Sequence, residues 1–187
     1  MFRLLALAGG SIAAAAMVLA VLLLGPSTSA PDVSAAGLPP VPAGWPSTLQ
    51  VGMGDGPGGA AAMKASAPFA FRYQYLAGGV NTGSGWATWN SNGQFVTNYI
   101  QESASSGITP VFTYYMIFQS APGNAQGETS GVYNNLQNTS TMTAYWNDLK
   151  LFFQRAGATG VRTVLHVEPD MWGYVEQRTN GSDNAAS

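Results

Sequence analysis

The chain of 187 residues has no cysteine. That absence excludes disulfides, thiol catalysis, iron–sulfur clusters and cysteine-ligated zinc. The one histidine, His166, also excludes a two-histidine metal site. No metal or other cofactor is expected. Charge is scarce too: Asp, Glu, Lys and Arg make up 9% of the residues, with a formal net charge of −2. Nucleic-acid binders carry basic patches, so no nucleic-acid partner is expected. Aromatic residues reach 11%, many of them beside Gly, Asn, Ser and Thr. Such a surface stacks and hydrogen-bonds without charge, which suits neutral polyhydroxylated ligands. An ordinary folded core under a weakly charged surface would have the same composition.

One long apolar run stands at the start. Arg3 gives a positive beginning, residues 12–24 an apolar segment, and Gly25-Pro26 a break before the small residues Thr28-Ser29-Ala30. Residues 1–30 read as a signal peptide, or, if uncut, as an anchor, because residues 4–24 are long enough to span a bilayer. Either outcome puts the rest of the chain outside the cytoplasm, secreted or held at the membrane by that segment alone. Residues 31–47 form a Pro/Ala/Gly-rich linker, 48–178 a domain, and 179–187 a polar tail.

Within the domain, short apolar runs alternate with helical stretches. Strands are expected at residues 49–53, 69–76, 109–117 and 161–167. Helices are expected at 60–65, 94–105, 140–156 and from 171, with a polar loop up to Asn138. The third helix should bury a stripe of Tyr145, Leu149, Phe152 and Phe153. Strands that alternate with helices imply crossover connections and a parallel α/β sheet. The pattern matches the first half of a (β/α)8 barrel, whose full form needs about 250 residues. A small open sheet is the other possibility.

Ligands in such folds bind at the carboxyl ends of the strands. Asp55, Tyr75, Tyr115, Glu168 and Asp170 fall there, and His166 precedes them. If the last strand continued to residue 170, His166, Glu168 and Asp170 would share one face. Arg72 lies inside the second strand and is expected to pair with Glu168 or Asp55, or else to touch substrate. Trp86, Trp89 and Trp172 lie in polar loops or just past strand ends, where rings can stack on sugars. The glycine cluster 54–59 hints at a phosphate cradle but lacks the P-loop Lys-Ser/Thr.

Val167-Glu168-Pro169-Asp170 at a fourth strand end resembles the E-P-D of glycoside hydrolase family 6. Glu168-Pro169 is similar to the Asn-Glu-Pro of the large retaining clan of (β/α)-barrel glycosidases, although Val167 stands where that clan has asparagine. The first resemblance implies Asp170 as general acid, and the second implies Glu168 as acid/base. Both imply hydrolysis of a polysaccharide or oligosaccharide. The alternative expectation is an extracellular carbohydrate-binding or cell-surface protein without catalysis.

Overall fold

The computed structural model describes residues 40–179; the expected signal segment, most of the linker and all but the first residue of the polar tail lie outside them. Residues 40–45 belong to a first unit, Met1–Trp45, in which the Trp45 N–H closes a turn on the Pro42 carbonyl at 3.0 Å. The other described residues belong to the unit Pro46–Ser187.

That second unit is an α/β domain. Strands β1 (Gly52–Gly54), β2 (Phe71–Leu76), β3 (Thr109–Tyr114) and β4 (Val164–Val167) form a sheet in the order β1-β2-β3-β4, every pairing parallel. Helices α1 (Ala60–Ser66), α2 (Gln94–Ser105), α4 (Thr139–Gly157) and α5 (Pro169–Arg178) follow the strands as expected. A further helix, α3 (Glu128–Leu136), stands where a polar loop was expected. Among the described residues no helix is long and apolar enough to cross a membrane.

Alternation along β2 sets the two faces of the sheet. Arg72 and Leu76 are buried while Tyr73 and Tyr75 are open. On β3, Phe112 packs on Tyr99 of α2 and Phe152 of α4, and Tyr114 packs on Tyr145 of α4. The core therefore lies between this face and helices α2 and α4. The buried stripe of α4 is Thr141, Tyr145, Leu149, Phe152 and Ala156. Phe153 is not part of it: one residue on from Phe152, it is rotated about 100° around the helix and is 56% exposed.

Local chemistry accounts for the helix ends. Asn138 caps α4 by accepting the Thr141 N–H at 2.9 Å. Gly107, with φ of 66°, ends α2 in the left-handed turn that glycine adopts most easily. Helix α3 has little apolar periodicity and is held by tertiary bonds instead. Buried Asn135 donates to the carbonyls of Ile117 and Ser120, both at 2.7 Å, and accepts the Gly123 N–H at 3.0 Å. Gly131 lies so close to Gly123 that a Cβ would sit 2.5 Å from the Gly123 carbonyl oxygen.

Arg72 is fully buried on the helix side and fastens the short strand β1. Its Nε meets Asp55 Oδ2 at 2.7 Å, its Nη1 donates to Ser103 Oγ at 3.1 Å, and Nη2 lies 3.1 Å from Glu102 Oε1 and donates to the Gly56 carbonyl. The guanidinium also lies over the Tyr99 ring, 4.1 Å from its centre. Replacing Arg72 by methionine keeps most of the volume but leaves Asp55 and Glu102 without their cation. The carboxylates are partly wet, so the expected loss is roughly 3 kcal/mol in urea unfolding. A loss below about 1 kcal/mol would show that the cluster does not hold β1.

Candidate functional site

Strand β4 stops at Val167 because the backbone turns left-handed at Glu168, with φ 44° and ψ 63°. Among the described residues only Asn92 and Glu168 have positive φ without being glycine. Asparagine tolerates this region; glutamate is strained there unless its surroundings hold it. Pro169 then occupies the first helical position of α5, where its missing N–H costs nothing.

The holding groups are identifiable. The Glu168 N–H donates to the Tyr114 carbonyl at 2.8 Å and carries the parallel ladder one step further. Its Oε1 accepts the backbone N–H groups of Met116 at 2.8 Å and Ile117 at 3.1 Å, and Tyr145 of α4 also hydrogen-bonds to the carboxyl. The side chain is 1% exposed. Burial pushes the carboxyl up to about 7, against the opposing pull of the two amides and the Tyr145 hydroxyl, with the charge of Asp170 adding to the rise.

Behind Glu168 lies a second, half-buried carboxyl. Asp148 of α4 accepts the Trp86 Nε1–H at 2.6 Å and the Tyr114 hydroxyl. Burial raises its affinity for a proton, partly offset by those donors. In front, Tyr115 donates to Glu128 at the start of α3. Burial raises the Tyr115 hydroxyl, and the Glu128 bond and the Asp170 charge raise it further. The rings of Tyr73, Tyr75, Tyr115 and Phe118 follow one another at centroid spacings of 6.2, 6.4 and 6.5 Å.

The expected site residues separate into three groups. Glu168 and Asp170 are brought together with Tyr115, and Tyr75 joins them through Tyr115. They do not share a strand face with His166: β4 ends before Glu168, so His166 stays exposed on the open face while Asp170 lies exposed in the first turn of α5. Trp172, 62% exposed, donates its Nε1–H to the Val167 carbonyl at 3.0 Å beside this junction.

Asp55 and Arg72 form the second group, in the ion pair under β1. Arg72 pairs with Asp55 and Glu102, not Glu168, because β2 lies beside β1 while Glu168 follows β4, on the far side of β3. The glycine turn after β1 already holds an anion. Glu102 accepts the N–H groups of Gly58 and Ala60, both at 3.0 Å. Although burial opposes it, those amides and Arg72 hold Glu102 below the usual carboxylate range.

The tryptophans 86 and 89 form the third group. Trp86 is wholly buried, edge-on to Phe152, so it is a core ring and not an exposed platform. Trp89 is 41% exposed but leans edge-on against Phe95, 4.9 Å between centroids. Glu128, Tyr145 and Asp148 were not singled out from the sequence as site residues. An acid just after Gly127, at a helix start, is the signal that could have marked Glu128. Among the described residues no three His, Asp or Glu side chains converge as metal ligands do. No protein-family model, curated protein or solved structure matches the chain.

The Glu168 carboxyl binds its proton more tightly folded, at about 7, than unfolded, at 4.5. The resulting stabilisation is complete below pH 4.5 and is lost as pH rises through 7. It amounts to about 3 kcal/mol. Urea midpoints measured from pH 4 to 8 should therefore fall more for the wild type than for Glu168→Gln; Asp148 contributes equally to both. Parallel curves for the two proteins would refute the buried, protonated state.

Proposed function

We propose that the four βα units are half of a (β/α)8-type barrel, and that the chain is an exported, carbohydrate-directed protein of glycosidase type with Asp170 as proton donor. The observation that carries this reading is the junction Glu168-Pro169-Asp170. A strained, buried glutamate, pinned by two backbone amides, fixes where the next acid emerges at the carboxyl end of the sheet.

The strand order supports the barrel. Crossovers between parallel strands are right-handed, so a sequence-ordered sheet carries its helices on one face, as α2 and α4 are here. A doubly wound sheet would reverse its order at a switch point. Export rests on the apolar segment at residues 4–24 and the small residues after it.

The two resemblances assign the acid differently, and the geometry favours the E-P-D version. Glu168 is closed off from solvent, and one carboxylate oxygen is taken up by the amides of Met116 and Ile117. Asp170 is exposed on a helix N-terminal turn, in the company of Tyr115 and Tyr174. In this role Asp170 delivers its proton to the glycosidic oxygen as the bond to the sugar carbon breaks. A second carboxylate, roughly 5–9.5 Å away, must then supply the base or nucleophile. Glu168 is buried and Asp55 is held by Arg72, so neither of these strand-end acids serves. Hydrolysis by the chain alone should therefore be negligible.

A non-catalytic binder is the second reading, favoured by the succession of rings from Tyr73 to Phe118 and by exposed Trp172. The test is melting temperature against a panel of soluble oligosaccharides of glucose, xylose, mannose and N-acetylglucosamine, with reducing-end release followed in parallel. At least one sugar should raise the melting temperature. Trp172→Ala should weaken that rise, while Asp170→Asn and Glu168→Gln should leave it in place. Substantial hydrolysis by the wild-type chain would refute the missing second carboxylate. A panel in which no sugar shifts the melting temperature would sink both readings.

A further inference from the structure

Burial alone does not fasten α5. None of its residues is buried, and its Met171 and Tyr174 pack against the core while half-exposed. The Glu168 junction fixes where the helix begins. A helix held at one end can still roll about its axis, and the direction of Asp170 would roll with it.

Helix α3 supplies the remaining hold. Asp170, Tyr174 and Arg178 recur every four residues, so they lie along one side of α5. Two of the three end on α3. Tyr174 hydrogen-bonds to Glu128, the first residue of α3, which also accepts the Tyr115 hydroxyl. The Arg178 guanidinium lies over the Tyr133 ring, 3.8 Å from its centre. Asp170, third in the row, is close enough for its charge to act on both phenols that meet Glu128.

The base for these contacts is firm. Asn135 ties α3 to the carbonyls of Ile117 and Ser120, in the loop whose Met116 and Ile117 amides hold Glu168. A parallel crossover from β3 to β4 is complete with one helix, and the long α4 serves. Helix α3 is thus additional to the crossover. Its Val132 joins the core, but Glu128 and Tyr133 do not.

We propose that Glu128 and Tyr133 are positioning residues: α3 sets the rotation of α5 about its axis and so aims Asp170. Glu128 acts through the two phenols, and Tyr133 acts through Arg178. The proposal rests on the reading of Asp170 as proton donor and deepens it, by naming what orients the acid.

The chain has no cysteine, so Asp170→Cys in the full chain accepts a single nitroxide label. Its electron paramagnetic resonance spectrum, taken in mild detergent, reports how tightly residue 170 is held. A parallel series carries the label at exposed Asn147→Cys on α4. Tyr133→Ala should raise the mobile population at residue 170 about threefold, the shift that losing one exposed cation–π contact allows. Glu128→Leu should loosen it too, as should Arg178→Met, which cuts the same contact from its exposed side. None of the three should change the spectrum at residue 147. Tyr133→Phe keeps a ring under Arg178 and Glu128→Gln keeps an oxygen for the phenols, so both should retain the held spectrum. An unmoved spectrum at residue 170 overturns the proposal. Equal loosening at residue 147 in all three variants also overturns it, as do conservative variants as mobile as Tyr133→Ala. Loosening at residue 170 in a chain whose melting temperature no sugar raises would sink the functional reading and leave the hold of α3 on α5 in place. A sugar-dependent rise with residue 170 unmoved would do the reverse.

Discussion

The two hydrogen bonds that the backbone amides of Met116 and Ile117 donate to the Glu168 carboxyl oxygen are the constraint on which the site depends. A carboxyl removed from water is costly unless partners meet it; two amides and a phenol meet this one, and burial still raises its hold on a proton. The same residue accepts a left-handed backbone, a second cost of order 1–3 kcal/mol. Both costs fall on one position, and the outcome is a fixed relation between the end of β3, the end of β4 and the start of α5. A glycine would relieve the strain at residue 168 but could not clasp the β3 loop. The glutamate is thus accounted for by position as well as by chemistry, and Asp170 inherits its placement from it.

Arg72 has a comparable role at the other end of the sheet. Strand β1 is three residues long and bonds to β2 alone among the described strands, so its ladder is weak. The guanidinium joins the turn after β1 to α2 through Asp55, Gly56, Ser103 and Glu102, while Glu102 returns to the amides of Gly58 and Ala60. Charge is scarce in this chain, and here one buried cation and two carboxylates close a loop that apolar packing does not reach. That placement removes Asp55 and Arg72 from the group of residues free to meet a ligand.

The fold was legible where a single periodicity dominates. The α2 segment alternates at helical spacing between Gly93 and Gly107 and forms over Gln94–Ser105 as expected. The four strands are visible as apolar runs, although each run is longer than its strand by two or three residues and the first stops one short of Gly54, because runs continue into loops that pack without pairing. Helix α3 was illegible: Glu-Thr-Ser-Gly-Val-Tyr-Asn-Asn-Leu has poor helical propensity, and Asn135 holds it through bonds to residues 12 to 18 positions away. The site was half legible. Glu168 and Asp170 could be picked out because acids after an apolar strand are unusual, but reading the strand through residue 170 gave them a common face with His166. Nothing local signals a left-handed glutamate, since the partners that hold it come from β3 and α4. Trp86 was misread for a related reason: a polar, glycine-rich neighbourhood in sequence concealed its bond to Asp148, 62 residues on.

The open face and the E-P-D junction share one origin. In a parallel sheet ordered by sequence, right-handed crossovers send the helices to one side and leave the other side to be covered by something that is not a crossover. A sheet buried on both faces normally shows continuous apolar strands, yet β2 places tyrosines, not aliphatics, on its second face. Tyrosine fits a surface that is partly dry and partly wet, as the interior and rim of a ligand-binding cylinder are. Toward the carboxyl ends of the strands the ring series runs from Tyr73 through Tyr75 to Tyr115, beside the turn that delivers Asp170. Half-exposed Tyr73 and Tyr75 thus lead through Tyr115 to exposed Asp170, the succession of groups that the proposed carbohydrate-directed reading uses.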